Sequence, residues 1–92
     1  MAYVRTRLTF ENNETKLQSG DRILFKKHGG IRFSRGEHMS DLIFSTEDGE
    51  AFPTGPLEKE HARFIADIIA LVSNLNLLPM EEKEMYYIFP LI

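Results

Sequence analysis

The chain has 92 residues, no cysteine and a net charge of −3. One domain fits in this length, and the absence of cysteine excludes disulfides and thiolate metal sites and gives no sign of an oxidising compartment. The first residues lack the apolar run of a signal peptide, so we expect a cytoplasmic protein.

Charge is distributed unevenly along the chain. Residues 1–38 contain eight Lys or Arg and four Asp or Glu, a balance of +4. Residues 39–92 contain three Lys or Arg and ten Asp or Glu, a balance of −7. This asymmetry predicts a bipolar molecule, with a basic sheet edge and an acidic opposite end.

Alternation of apolar and polar residues predicts an antiparallel sheet of about four strands in residues 1–53. The first strand covers residues 3–10 and has a basic outer face. After a polar segment at 11–15, a tight turn at 19–21 leads into the second strand, which continues to His28.

The glycine pair at 29–30 predicts a hairpin that joins the second strand to a third over residues 31–35. Residues 36–40 are predicted to form a loop, and residues 41–46 form the next strand. A turn and a short return strand then occupy residues 47–52.

The long helix predicted over residues 55–76 is the central element of the chain. Gly55 can cap it, and Pro56 suits its first position because the missing proline N–H would have no partner there. Apolar residues recur every three or four positions and predict the face that packs on the sheet. That face comprises Leu57, His61, Phe64, Ile68, Val72 and Leu75, and it is widened by Ile65 and Ile69 on one side and by Leu71 on the other.

Three alanines, Ala62, Ala66 and Ala70, follow one another at intervals of four on this helix. Small residues let a helix lie close to its neighbour, and two neighbours are compatible with the sequence. The alanines either pack on the sheet or contact the helix of a second copy in a homodimer.

Residues 79–92 form the C-terminal element. Pro79 and the acidic residues over 81–84 predict the start of a short helix, whereas residues 85–92 fit either a helix or a strand. The whole chain, residues 1–92, is predicted to be one α+β domain. It combines the antiparallel sheet with one long helix and ends in a short helix or strand.

The sequence carries none of the patterns that catalysis needs. It has no nucleophile elbow, no phosphate loop and no dinucleotide fingerprint, so we expect a protein that is not an enzyme and has no cofactor. The histidines, His28, His38 and His61, have no ligand-like neighbour at metal-site spacing, so we expect no metal. We also expect no membrane span, because Asp67 lies in the middle of the long apolar segment.

The strongest candidate for a binding site is the hairpin around residues 29–30. Its positive side chains form the predicted partner-binding residues, which we call the basic set: Arg22, Lys26, Lys27, Arg32 and Arg35. A positive patch steers a complementary acidic surface. With Phe25 and Phe33 interleaved, the hairpin also fits a nucleic acid, whose bases would stack on the rings. The alternation opposes this second use, since it directs both rings to the core.

The segment over residues 60–66, which reads EHARFIA and precedes an apolar run, resembles a helix of many small accessory proteins of phages. The resemblance implies an origin in a phage or a mobile element. Small chains of that kind include anti-CRISPR proteins and other inhibitors of host defence, which typically bind and occlude a host complex. No site residue is carried over from them, because they share no common motif.

We therefore expect a non-enzymatic binding protein. The leading hypothesis is a phage-encoded inhibitor that docks through the basic set on a host protein or nucleoprotein, such as a CRISPR surveillance complex in the bacterial cytoplasm. Direct binding to the phosphates of RNA or DNA is the first alternative. A homodimeric interaction protein built on the three alanines is the second.

Overall fold

The computed structural model of the protein describes residues 6–10, 16–46 and 56–92. Within these ranges the elements follow in the order β1 (Thr6–Phe10), β2 (Arg22–Lys26), β3 (Ile31–Arg35), β4 (His38–Thr46), α1 (Lys59–Ser73), β5 (Glu81–Glu82) and β6 (Tyr86–Pro90). The turn and strand predicted over residues 47–52 and the cap predicted at Gly55 lie outside the described residues.

The strands form one antiparallel sheet in the order β1-β4-β3-β2-β6-β5. Among the described residues, five strands have at least five residues each and β5 has two, so the sheet is larger than the four strands predicted. The α+β class is confirmed. The additional long strand is β6, which pairs with β2 from Arg22 opposite Pro90 to Lys26 opposite Tyr86.

The C-terminal element is a hairpin of two strands. β5 pairs with β6, and the Lys83 N–H donates to the Tyr86 carbonyl at 2.8 Å across the turn between them. The short helix predicted after Pro79 is therefore wrong, and the segment over residues 85–92 contains a strand. The physical reason is the unpaired edge of β2, whose backbone N–H and C=O groups need partners that an extended segment supplies.

The turn between β2 and β3 depends on the predicted glycine pair. The Gly29 N–H donates to the Lys26 carbonyl at 2.9 Å, and the Lys26 N–H donates to the Gly30 carbonyl at 3.0 Å. Both glycines have a positive φ, 103° and 107°, which a residue without a side chain adopts at little steric cost. The hairpin between β2 and β3 is confirmed, but β2 ends at Lys26 rather than at the predicted His28, and the connection covers residues 27–30 rather than the two glycines alone. This turn fixes the register that places Phe25 opposite Ile31.

The loop predicted over residues 36–40 is instead a two-residue turn followed by strand. Gly36 has a φ of 60°, which suits the first central position of a type II′ hairpin turn. Arg35 therefore pairs directly with His38, the first residue of β4. Sequence alternation misses the start of β4 because the side chains over 38–40 are exposed or half-buried.

α1 begins four residues later and ends three residues earlier than the predicted helix over 55–76. The Leu57 N–H donates to the Lys27 carbonyl at 2.8 Å, which ties the segment before the helix to the end of β2. At the other end Asn74 is left-handed, with φ 58° and ψ 41°. The bonds of a Schellman motif then close the last turn.

The face of α1 that packs on the sheet differs from the predicted one. Its buried residues are Ala62, Ile65, Ala66, Ile69 and Ala70. Of the predicted face, His61, Phe64 and Val72 are exposed, Ile68 and Leu75 are half-buried, and Leu57, which precedes the helix, is buried. The predicted apolar stripe is therefore only partly the core face: Ile65 and Ile69 at its one side are buried, whereas Leu71 at its other side is exposed.

The alanines determine which face of α1 lies on the sheet. Ala62 and Ala66 are fully buried and Ala70 is nearly so, so the helix backbone lies close to the strands. The large core side chains come from the sheet and include Phe25, Phe33, Phe44 and Phe89. Rings opposite small helix residues fill the space between the layers at interior density. Packing of the alanines on the sheet is confirmed, and they present no surface to a second copy.

Replacing Ala66 with leucine tests this packing. We expect Ala66→Leu to lower the free energy of unfolding by about 1–3 kcal/mol, because the added methylene groups overpack a filled layer. The measurement is chemical denaturation followed by circular dichroism. Arg63→Leu, on the exposed side of the same helix, is the control and should change stability by less than about 0.5 kcal/mol. Equal stability of the two variants would contradict the buried alanine line.

Candidate binding surface

The two faces of the sheet have different chemistry. Alternation along β2 directs Ile23 and Phe25 to the helix and places Arg22, Leu24 and Lys26 on the opposite face. The strand register extends this second face across four strands. We call it the outer sheet face; it comprises Arg22, Leu24, Lys26, Arg32, Ser34, Met39, Asp41, Ile43, Tyr86, Ile88 and Pro90. Among the described residues no helix covers it.

The centre of the outer sheet face is apolar. Leu24 lies between two direct cross-strand neighbours, Arg32 on β3 and Ile88 on β6. Leu24 and Ile88 are both buried, although neither belongs to the cluster beneath the helix. The long aliphatic stems of arginine and lysine can cover such a centre while their charged ends remain in water.

Three cations surround this centre, and each is held differently. The Arg22 Nε donates to the Ser34 Oγ at 3.3 Å. The Arg32 Nε lies 3.4 Å from the Asp41 Oδ1, but the alignment does not make a hydrogen bond and the Nε atom is inaccessible to solvent. We therefore treat it as a loose ion pair. Within the described part of the chain the Lys26 ammonium has no hydrogen bond or ion pair, so it is available to a ligand.

Exposed apolar side chains complete the outer sheet face along β4. Ile43 is 61% exposed and Met39 is 40% exposed. The half-buried Tyr86 and Pro90 lie at the other side, on β6. A surface with an apolar centre, an aromatic residue and arginines is typical of the central part of protein interfaces.

The other two members of the basic set lie on the helix side of the sheet. Lys27 donates to the Glu82 Oε2 at 2.8 Å, and its Nζ lies 5.0 Å from the centre of the Tyr87 ring. This hydrogen bond, and secondly the positive charge, lower the pKa of the Glu82 carboxyl. Lys27 is therefore engaged within the fold rather than presented with the outer cations.

Arg35 neutralises a buried carboxylate. Asp21 is 2% exposed, and Arg35 donates to its two oxygens from Nε at 2.9 Å and from Nη2 at 2.8 Å. The Gln18 N–H also donates to Asp21, at 2.8 Å, and Arg35 Nη2 reaches the Lys16 carbonyl at 2.7 Å. The hydrogen bond to Asp21 raises the pKa of Arg35. This cluster holds the turn before β2 against the end of β3, which is a structural role.

The fold thus divides the predicted basic set. Arg22, Lys26 and Arg32 come together on the outer sheet face, whereas Lys27 and Arg35 lie on the other side with acidic partners. The alternation of side chains along a strand could have predicted this division, because the even-numbered residues of β2 and β3 point to the outer sheet face. The apolar members of the surface, such as Ile43, were not part of the prediction, since an exposed isoleucine in a strand is indistinguishable from a core one in sequence.

The aromatic rings of the hairpin are in the core, as the alternation indicates. Phe25 is fully buried and Phe33 nearly so, and Phe25 packs edge-on against Phe89 with ring centres 5.5 Å apart. Of the described outer-face residues, Tyr86 is the aromatic one. The base-stacking platform that a nucleic acid would need is therefore not formed by the hairpin.

Over residues 6–10, 16–46 and 56–92, no three His, Asp or Glu side chains are arranged to hold a metal ion. The helix of this part of the chain is not long and apolar enough to cross a membrane. Neither a protein-family model, nor a curated protein, nor a solved structure matches the chain.

Arg35→Met tests the structural role of Arg35. The variant keeps an apolar stem but leaves the buried Asp21 carboxylate without its counter-charge. We expect the free energy of unfolding to fall by about 2–4 kcal/mol, below the full cost for a buried pair because Arg35 itself is partly exposed. Asp21→Asn in the same chain should recover part of the loss. Unchanged thermal stability of Arg35→Met would contradict the assignment.

Lys27→Met tests the second internal pair through the pKa of Glu82. We expect that pKa to rise toward its ordinary value, because the ammonium that stabilises the carboxylate is removed. The pair stabilises the native protein above the ordinary pKa of a glutamate, and this contribution is lost as pH falls through the lowered, folded-state pKa. The measurement is a carboxyl-carbon NMR titration of Glu82 in both proteins; superimposable curves would show that Lys27 does not act on it.

Proposed function

We propose that this chain is a non-enzymatic binding protein that docks on an acidic patch of a larger partner through the outer sheet face. The observation that carries the proposal is the group of three cations, Arg22, Lys26 and Arg32, around the buried apolar pair Leu24 and Ile88. The helix α1 packs on the other face, and within the described part of the chain no helix covers this one.

The two kinds of side chain on this surface contribute differently to binding. Cations accelerate encounter with an acidic surface and fix its orientation. The guanidinium groups of Arg22 and Arg32 can hold a carboxylate through two parallel hydrogen bonds. Ile43 and Met39 contribute apolar area, which slows dissociation once the surfaces meet. The loose pair between Arg32 and Asp41 can exchange its carboxylate for one from the partner.

A protein surface fits this arrangement better than a bare nucleic acid. Among the residues whose side chains the structure describes, this face has three cations, and the acidic Asp41 lies beside one of them. The two phenylalanines of the hairpin are buried, and the net charge of −3 opposes a long polyanion. The exposed isoleucine and methionine would gain nothing from phosphates, whereas a protein partner can bury them.

The resemblance of residues 60–66 to phage accessory proteins suggests the biological form of this binding. A small chain that covers an acidic patch of a host protein or nucleoprotein blocks whatever that patch normally contacts. We therefore propose an inhibitor of the phage type, acting on a host complex such as a CRISPR surveillance complex. This assignment rests on the resemblance, while the choice of surface rests on the geometry.

Reversing the three outer cations tests the proposal. The outer-face variant combines Arg22→Glu, Lys26→Glu and Arg32→Glu. The control variant combines Lys16→Glu, Lys59→Glu and Arg63→Glu, which are exposed residues away from this face and change the net charge equally. Tagged proteins capture partners from bacterial lysate, with and without nuclease treatment. We expect the outer-face variant to bind the captured partner about tenfold or more weakly and with less salt dependence, while the control retains binding.

Two outcomes would contradict the proposal. Equal affinity of the folded outer-face variant and the wild type would show that the partner uses another surface. Recovery of nucleic acid alone, lost on nuclease treatment, would favour direct nucleic-acid binding. In that case log affinity should fall linearly with log salt, with a slope set by the number of phosphates contacted.

A further inference from the structure

The outward side of α1 carries large apolar residues that the core does not use. Leu71 is 80% exposed, Phe64 62% and Val72 49%, and the half-buried Ile68 lies between them on the same side. We call these four residues the helix ridge. Contiguous exposed side chains of this size on a small protein mark an interaction site rather than ordinary surface.

The packing of the described residues leaves the helix ridge without a partner. The core takes the alanines and the two isoleucines Ile65 and Ile69 from the opposite side of α1. The high exposure of Leu71 and Phe64 shows that none of the described segments lies over them. Within the described part of the chain the helix ridge is therefore open to another molecule.

The spacing of the helix ridge indicates a helical partner. Phe64, Ile68 and Leu71 follow one another at intervals of four and three residues. This is the heptad spacing, in which one helix presents alternating knobs to the holes of a second helix.

Charge beside the helix ridge indicates which helix fits. Glu60 and Asp67 are seven residues apart and lie along one side of the helix ridge. Residues that flank the apolar seam of a heptad in this way select the partner helix. Both side chains are exposed. Within the described residues neither carboxylate makes an ion pair or a hydrogen bond. They lie in the half of the chain that has a charge balance of −7.

A second copy of this chain fits poorly at the same place. Two antiparallel copies would bring the flanking carboxylates, Glu60 and Asp67, of both helices together, and like charges at these positions destabilise such a pair. A helix with Lys or Arg beside its apolar seam would instead neutralise them. The unpaired carboxylates thus favour a cationic partner over self-association.

We infer that the helix ridge is a docking surface for an amphipathic helix of another protein that carries Lys or Arg beside its apolar seam. The inference goes beyond the proposed function, because it assigns a second surface on the opposite side of the sheet. The chain would then bind an acidic surface on one side and a basic helix on the other.

Two synthetic peptides serve as probes of this inference. Both are amphipathic helices of equal length with leucine at the seam positions, and they differ in having Lys or Glu at the flanking positions. Each is titrated into the full ¹⁵N-labelled chain. We expect the Lys peptide to give saturable shifts on α1 and to bind about tenfold or more tightly than the Glu peptide, as flanking charges determine partner choice in paired helices.

Variants of the full chain identify the contact residues. Leu71→Ser should weaken binding of the Lys peptide about tenfold or more, as loss of a central apolar anchor does in interfaces. Ile43→Ser, which removes an equally large exposed side chain from the outer sheet face, is the matched control and should change affinity less than about twofold. Asp67→Lys should shift the preference toward the Glu peptide. Because all three positions are exposed, the variants should fold like the wild type.

Three results would overturn the inference. The first is equal binding of both peptides, and the second is a Lys-peptide response located on the outer sheet face and lost in Ile43→Ser. The third comes from sedimentation of the free chain: a dimer that dissociates in Leu71→Ser would assign the helix ridge to a second copy. A monomer that binds the Lys peptide through Leu71 supports the inference, whatever the capture experiment shows for the outer sheet face.

Discussion

The pairing of β2 with β6 is the contact on which the rest of this structure depends. It joins residues 22–26 to residues 86–90, which are far apart in the sequence. The pairing is extended beyond the strands, where the Leu91 N–H donates to the Asp21 carbonyl and the Gly20 N–H to the Leu91 carbonyl, both at 2.9 Å. It makes β2 a central strand with partners on both edges. Asp21, fixed by Arg35, therefore lies where three parts of the sheet meet.

A second constraint follows from size. One helix of 15 residues covers one face of a six-stranded sheet, and within the described residues the opposite face has no second layer. Ordinary two-layer domains of this kind keep the open face polar. Here the open face has an apolar centre at Leu24 and Ile88 with cations around it, which is a composition suited to a partner rather than to water alone.

The packing of α1 connects the fold to its second exposed surface. Because the small residues lie on the sheet, the large residues Phe64 and Leu71 are directed away from it. A helix that used its large residues for the core would have left alanines outside and no apolar ridge. The two exposed surfaces thus have opposite charge, cationic on the sheet and acidic beside the helix, in agreement with the unequal charge of the two halves of the sequence.

The sequence by itself determined the class of fold, the hairpin at Gly29 and Gly30, the presence of the long helix and the direction of Phe25 and Phe33. These depend on local periodicity and on backbone preferences, which neighbouring residues encode. Tertiary structure decided the rest. Residues 85–92 became a strand because β2 offered an unpaired edge, and α1 packed through Ala66 because close approach to the sheet outweighed the larger apolar stripe. The basic set was divided for the same kind of reason: Arg35 was needed by a buried carboxylate on the far side of the sheet, which no spacing in the sequence reveals.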